Sequence, residues 1–139
     1  MRSTAKLHLE TVEGTALRFG AETGRVRLTL DSGPEVDAPS PMEAVLVALG
    51  GCTGMDVISI LRKQRQQVTG YEVEVIAERA EQHPKVFTAM EVVHRVRGRD
   101  LREAGVAEAI RLSDTKYCSV HAMLRASVRL SSRYEIVPE

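Results

Sequence analysis

Tryptophan is absent, and two phenylalanines and three tyrosines are all the aromatic side chains in the chain. So few rings offer no platform on which nucleic-acid bases could stack. An excess of either charge is missing too. The 19 lysines and arginines face 19 aspartates and glutamates, so no long-range attraction to nucleic acid or to an acidic membrane surface is expected. Cysteine is scarce: Cys52 and Cys118 stand 66 residues apart, a spacing that excludes a zinc ribbon and a Cys-x-x-Cys redox motif. Met1 to His8 lacks the apolar core of a signal peptide, and no repeat or low-complexity segment interrupts the chain. These absences predict a cytoplasmic protein, in which thiols stay reduced unless they are catalytic or redox-sensing. At 139 residues the chain is expected to form a single domain, residues 1–139, with a core of its own.

What is present is one long apolar stretch, from Ser40 to about Val68, around which the rest is arranged. Ser40 and Glu43 form a Ser-x-x-Glu capping box and Pro41 falls at the first helical position, so a helix starts there. Arg62, Lys63 and Arg65 suit the negative pole at its far end. Between Ala44 and Leu61 little besides Thr53, Asp56 and Ser59 interrupts the apolar side chains and glycines. A helix apolar nearly all round is expected to be buried on all sides, and the central Asp56 argues against a membrane span. Gly50, Gly51 and Gly54 surround Cys52, each weakening the helix by about 1 kcal/mol relative to alanine. Glycines are kept in such places where another backbone or a ligand comes close. A buried structural thiol in a tightly packed core helix fits the same residues equally well.

Strands are expected on both sides of that helix. Leu7, Leu9 and Thr11 alternate with His8 and Glu10. Thr15–Phe19 follows a Glu13-Gly14 turn, Gly20–Gly24 reads as another turn, and Arg25–Leu30 places Val26, Leu28 and Leu30 inward. Thr69-Gly70 stops the helix, and Glu72–Glu78 and Val86–Val96 then form a hairpin. His94 shares a face with Met90, Val92 and Val96 and fits a packed histidine better than a ligand. Asp100 is expected to cap a helix from Leu101 to about Lys116 with Val106, Ala109, Ile110 and Ser113 on the inner stripe. Tyr117–Leu124 gives a short helical turn and Ala126–Ile136 a closing strand. The order β-β-β-α-β-β-α-β predicts an α+β fold, with an antiparallel sheet around a buried central helix. One small sheet and one short helix cannot cover such a helix, so a symmetric homodimer is expected to cover the remainder.

The chemistry rests on the second thiol. Cys118 precedes a short helix, where free N–H groups and the positive end of the dipole are expected to lower its pKa. One thiol in mid-helix and one at a helix start satisfy a dithiol peroxidase. The first is oxidised to a sulfenic acid and the second condenses with it. Two unrelated core cysteines remain an alternative. So does a zinc site, because Cys118 and His121 lie three apart and only Cys52 is available as a further soft ligand.

Pro41-Met42-Glu43, the run to Gly50-Gly51-Cys52-Thr53, and Tyr117-Cys118-Ser119-Val120 at this separation resemble the OsmC/Ohr family. That family is named for the osmotically inducible protein C and the organic hydroperoxide resistance proteins. The resemblance covers essentially the whole chain. It implies an intertwined homodimer with packed central helices, and thiol-dependent reduction of organic hydroperoxides with Cys52 peroxidatic and Cys118 resolving. A dithiol, lipoyl-type or a small thiol, would then reset the disulfide, with no metal and no cofactor. The resemblance also implies an arginine and a glutamate that hold the thiolate and the peroxide. Glu43 stands one residue beyond the family's usual position, about 100° further around a helix. Arg18, in the second strand region, is the candidate cation, since a guanidinium keeps its charge when buried. The alternative is a non-enzymatic dimer that binds an apolar or thiol-reactive small molecule at the subunit interface.

Overall fold

A computed structural model describes all residues, Met1–Glu139. The elements run β1 (Ala5–Leu9), β2 (Phe19–Thr23), β3 (Val26–Leu30), α1 (Pro41–Lys63), β4 (Gln67–Arg79), β5 (Phe87–Arg99) and α2 (Glu103–Leu112). A π-helical turn (Ser113–Tyr117), α3 (Ser119–Leu124) and β6 (Arg129–Pro138) complete them. This is the expected α+β order. The chain divides into two compact units, Met1–Val45 and Leu46–Glu139.

The first unit is an antiparallel sheet in the order β1-β2-β3. Its second strand lies later than predicted, at Phe19–Thr23 rather than Thr15–Phe19. Gly20 is a strand residue and not part of a turn: a Cβ there would sit 2.9 Å from the His8 ring on the neighbouring strand. The turn is Gly24-Arg25, where Gly24 has φ +58°, as the first position of a type II′ hairpin requires. The register pairs Leu9 with Phe19 and Leu7 with Ala21, then Phe19 with Leu30 and Ala21 with Leu28. All of these side chains therefore lie on one face. The inward orientation predicted for Val26 and Leu28 is met only in that sense, because within the chain they are 60% and 44% exposed.

The capping box closes as predicted. The Glu43 N–H donates to Ser40 Oγ at 3.1 Å, and the Ser40 N–H donates to Glu43 Oε1 at 3.0 Å. At its other end α1 stops at Lys63, earlier than expected. Arg65 adopts φ 59°, its N–H reaches Arg62 O, and the Gln66 N–H reaches Leu61 O. That pair of bonds is a Schellman motif with arginine in the left-handed position. Thr69-Gly70, predicted as the stop, is already inside β4.

In the second unit the sheet order is β4-β5-β6. β4 and β5 are antiparallel as expected, but β6 joins β5 in parallel. The connection through α2, the π turn and α3 is long enough for the parallel return that a hairpin cannot make. The core gathers Val57 and Leu61 of α1, Val96 of β5, and Val106, Ala109 and Ile110 of α2. Only the stripe Leu49, Thr53, Val57 and Leu61 of α1 is buried. Val47 and Met55 remain 68% and 73% exposed. The helix is thus covered along one side and not all round. By length and composition alone it is as apolar as a membrane-spanning helix, a property that core helices share. α2 starts without Asp100 as its cap: Asp100 sits in a left-handed turn, and the buried Gln66 side chain accepts the Arg102 N–H instead at 2.7 Å.

Candidate functional site

Cys52 lies in the middle of α1, and its glycines serve different contacts. A Cβ at Gly54 would sit 3.3 Å from Val73 and one at Gly50 3.2 Å from Val75. Those two glycines let α1 settle closely on β4. Gly51, beside Cys52, has nothing within 4 Å of a hypothetical Cβ. Leu46, Val47, Gly50, Gly51, Val73 and Val75 line an apolar groove there.

Cys118 is the N-cap of α3, and its Sγ accepts the His121 N–H at 3.4 Å. It is 3% exposed. The structure brings it beside Cys52, whose side chain acts on its thiol. The lowered pKa predicted from the helix start is not found. Burial pushes the Cys118 thiol up to about 12, the neighbouring Cys52 and Asp56 push the same way, and the His121 N–H opposes them only in part. A six-residue helix supplies too little dipole to offset loss of water. Cys118 is therefore a protonated thiol at neutral pH.

A buried polar chain flanks the pair. Ser113 Oγ donates to Asp56 Oδ2 at 2.9 Å and lies 2.8 Å from Thr53 Oγ1. Asp56 also borders a cavity of about 350 Å³, lined with Ser59, Ile60, Lys63, Leu112 and Tyr117. Nearby, His94 is fully buried rather than snorkelling. Its Nδ1 is 2.6 Å from the Tyr71 hydroxyl, and its Nε2 has no partner. Burial lowers the His94 pKa, with Asp114 opposing, and raises that of Tyr71. His121 Nε2 stands 3.8 Å from Asp114 Oδ1. No three His, Cys, Asp or Glu side chains converge on a metal position.

Arg18 and Glu43 belong to the first unit. The Arg18 guanidinium is gripped by Asp37, by Glu10 at 3.0 Å and by Asp31 at 3.5 Å. The Asp37 hydrogen bond dominates the rise of its pKa, burial opposes it, and Glu10 adds to it. The Glu43 carboxylate is held low in pKa by the Ser40 N–H and then the Ser40 hydroxyl. Sequence reasoning placed Ser113 on the inner stripe of its helix, where it is fully buried, but missed the hydrogen bonds that join it to Thr53 and Asp56. Its only signal for them was a lone carboxylate within an apolar helix.

Two adjoining thiols on an α+β frame define a class of small thiol proteins, and the comparisons specify it. Residues 31–133 match the sequence profile described as OsmC-like protein, and the chain belongs to this family. It is 44% identical to Protein YhfA of Escherichia coli K12 over 126 residues, 91% of this chain and 93% of the relative. The fold is similar to a crystal structure of a hypothetical protein from Aquifex aeolicus VF5. There the TM-score is 0.88 at 31% identity, over 100% of this chain and 98% of that one. It also matches the organic hydroperoxide resistance protein OhrB of Bacillus subtilis, with a TM-score of 0.62 over 97% of this chain and 98% of that one. At 13% identity that likeness concerns the fold alone.

Proposed function

We propose that the protein reduces organic hydroperoxides at the expense of thiols, with Cys52 peroxidatic and Cys118 resolving. One observation supports this most: two cysteines from separate elements, 66 residues apart, lie side by side, Cys118 buried and Cys52 partly exposed. The Cys52 thiolate attacks the terminal peroxide oxygen; an S–O bond forms, the O–O bond breaks, and the alkoxide leaves as the alcohol after taking a proton. The Cys118 sulfur then attacks the Cys52 sulfur of the sulfenic acid. The S–S bond forms and hydroxide leaves with the Cys118 proton as water. A dithiol, lipoyl-type or small, returns two electrons and two protons.

In this reading the protein is a cytoplasmic homodimer. The apolar face of the first sheet and the Val47–Met55 side of α1 are the surfaces a second copy covers. Arg18 stabilises the Cys52 thiolate, and Glu43 serves mainly as the cap. The test is consumption of cumene hydroperoxide with dihydrolipoamide. Wild type turns over and Cys52→Ser does not; Arg18→Ala loses most of the activity and Glu43→Gln keeps most.

A second reading has an observation of its own. Arg18 already carries three carboxylates, and an apolar groove adjoins Gly51. Both suit a dimer that binds an apolar or thiol-reactive small molecule without turnover. Equal rates for wild type and Cys52→Ser would leave only that reading.

A further inference from the structure

We propose that Ser113, with Thr53 and Asp56, is the positioning joint that holds the turn bearing Cys118 against the helix bearing Cys52, and so governs closure of their disulfide. The proposal rests on the thiol reading above and adds three residues to it.

Ser113 is fully buried and Thr53 is 1% exposed. The Ser113 hydroxyl has a single proton, which it gives to Asp56 Oδ2. The contact with Thr53 must then run from the Thr53 hydroxyl to Ser113 Oγ. The chain is thus directed, Thr53 to Ser113 to the Asp56 carboxylate. Thr53 follows Cys52 directly and Asp56 lies one helical turn beyond it, so Ser113 grips α1 at the thiol itself.

The backbone of Ser113 grips the other thiol. Its carbonyl accepts the Cys118 N–H at 2.9 Å, an i to i+5 bond that closes the π turn. Such turns are rare and cluster at functional sites. An α-helical continuation of α2 would offer that carbonyl to Tyr117 instead, one residue too early. Three hydrogen bonds, two at the side chain and one at the backbone of Ser113, therefore connect the two cysteine-bearing segments.

Disulfide closure needs the Cys118 sulfur aligned with the Cys52 sulfur while the S–O bond breaks. Small misplacements of reacting atoms cost large factors in rate. Hydroxyls in a core that apolar side chains could fill are explained by that demand.

The sharpest test is the pair Thr53→Val and Thr53→Ser. Valine keeps the shape and loses the hydroxyl, while serine keeps the hydroxyl. After one equivalent of cumene hydroperoxide, Cys52 sulfenic acid (trapped with dimedone) and disulfide are timed by mass spectrometry. Thr53→Val and Ser113→Ala should form sulfenic acid at the wild-type rate, close the disulfide at least about tenfold more slowly, and accumulate sulfinic acid. Thr53→Ser should close it as wild type does. Disulfide closure in Thr53→Val at the wild-type rate would overturn the proposal, and this pair decides the matter even if Ser113→Ala fails to fold. Glutathione disulfide separates the two levels of the argument. It places a mixed disulfide on Cys52 that Cys118 must displace, with no peroxide involved. If hydroperoxide leaves wild-type Cys52 unoxidised, the peroxidase reading fails, and the same rate ratio measured with glutathione disulfide still supports or overturns the joint.

Discussion

His94 shows how a residue can be legible in position and illegible in state. Alternation along β5 placed it on the inner face with Met90, Val92 and Val96, and all four are buried. Whether its polar atoms are satisfied depends on Tyr71, a partner 23 positions away, and no local pattern announces it. Burial lowers its pKa, with Asp114 opposing, so the fold favours the neutral imidazole. Near and below the unfolded value of about 6.5 the unfolded chain takes up a proton more readily than the folded chain, and stability falls as the pH is lowered. The loss should reach at most about 1.4 kcal/mol per pH unit. Urea unfolding between about pH 7.5 and pH 5.5 should show this slope, and His94→Asn should lack that part of it. An unchanged slope in the variant would mean that His94 takes up its proton as readily in the fold as in the unfolded chain. Cys118 carries the opposite lesson. Its place at a helix start suggested a lowered pKa, and burial beside Cys52 and Asp56 raised it instead. Sequence shows the helix start but not the depth.

Among the elements, those with chemical end signals were read well and those without were not. The start of α1 was exact because Ser40, Pro41 and Glu43 each specify it. Its end was misplaced because the signal sought was a glycine, and the left-handed position is held by Arg65. That misfit is testable. An L-residue in the left-handed region costs about 1 kcal/mol, so Arg65→Gly should raise the unfolding midpoint, in spite of the larger entropy loss of glycine. A lower midpoint would show that the arginine side chain contributes more than its backbone costs. The π turn was unreadable for a different reason. Up to Leu112 the sequence follows a helix period, and the change of pitch is set by where Ser113 meets Thr53 and Asp56, 60 and 57 positions back.

For the whole molecule, the excess of apolar surface was visible before any coordinates. What the sequence could not show was which side of α1 remains uncovered. Leu49 is fully buried within its own chain, whereas Val47 is 68% exposed. Leu49→Asp should therefore unfold the protein, since an unpaired carboxylate in a core is strongly destabilising. Val47→Asp should leave folded monomers by sedimentation, where wild type should sediment as a dimer. A monomeric wild type would remove the homodimer from the account. The central claim, that Cys52 and Cys118 act as one redox pair, has a more direct test. Reduced protein treated with one equivalent of organic hydroperoxide should lose two hydrogens per chain, and peptide mapping should join Cys52 to Cys118. Cys52 found as sulfinic acid with Cys118 still a free thiol would contradict it.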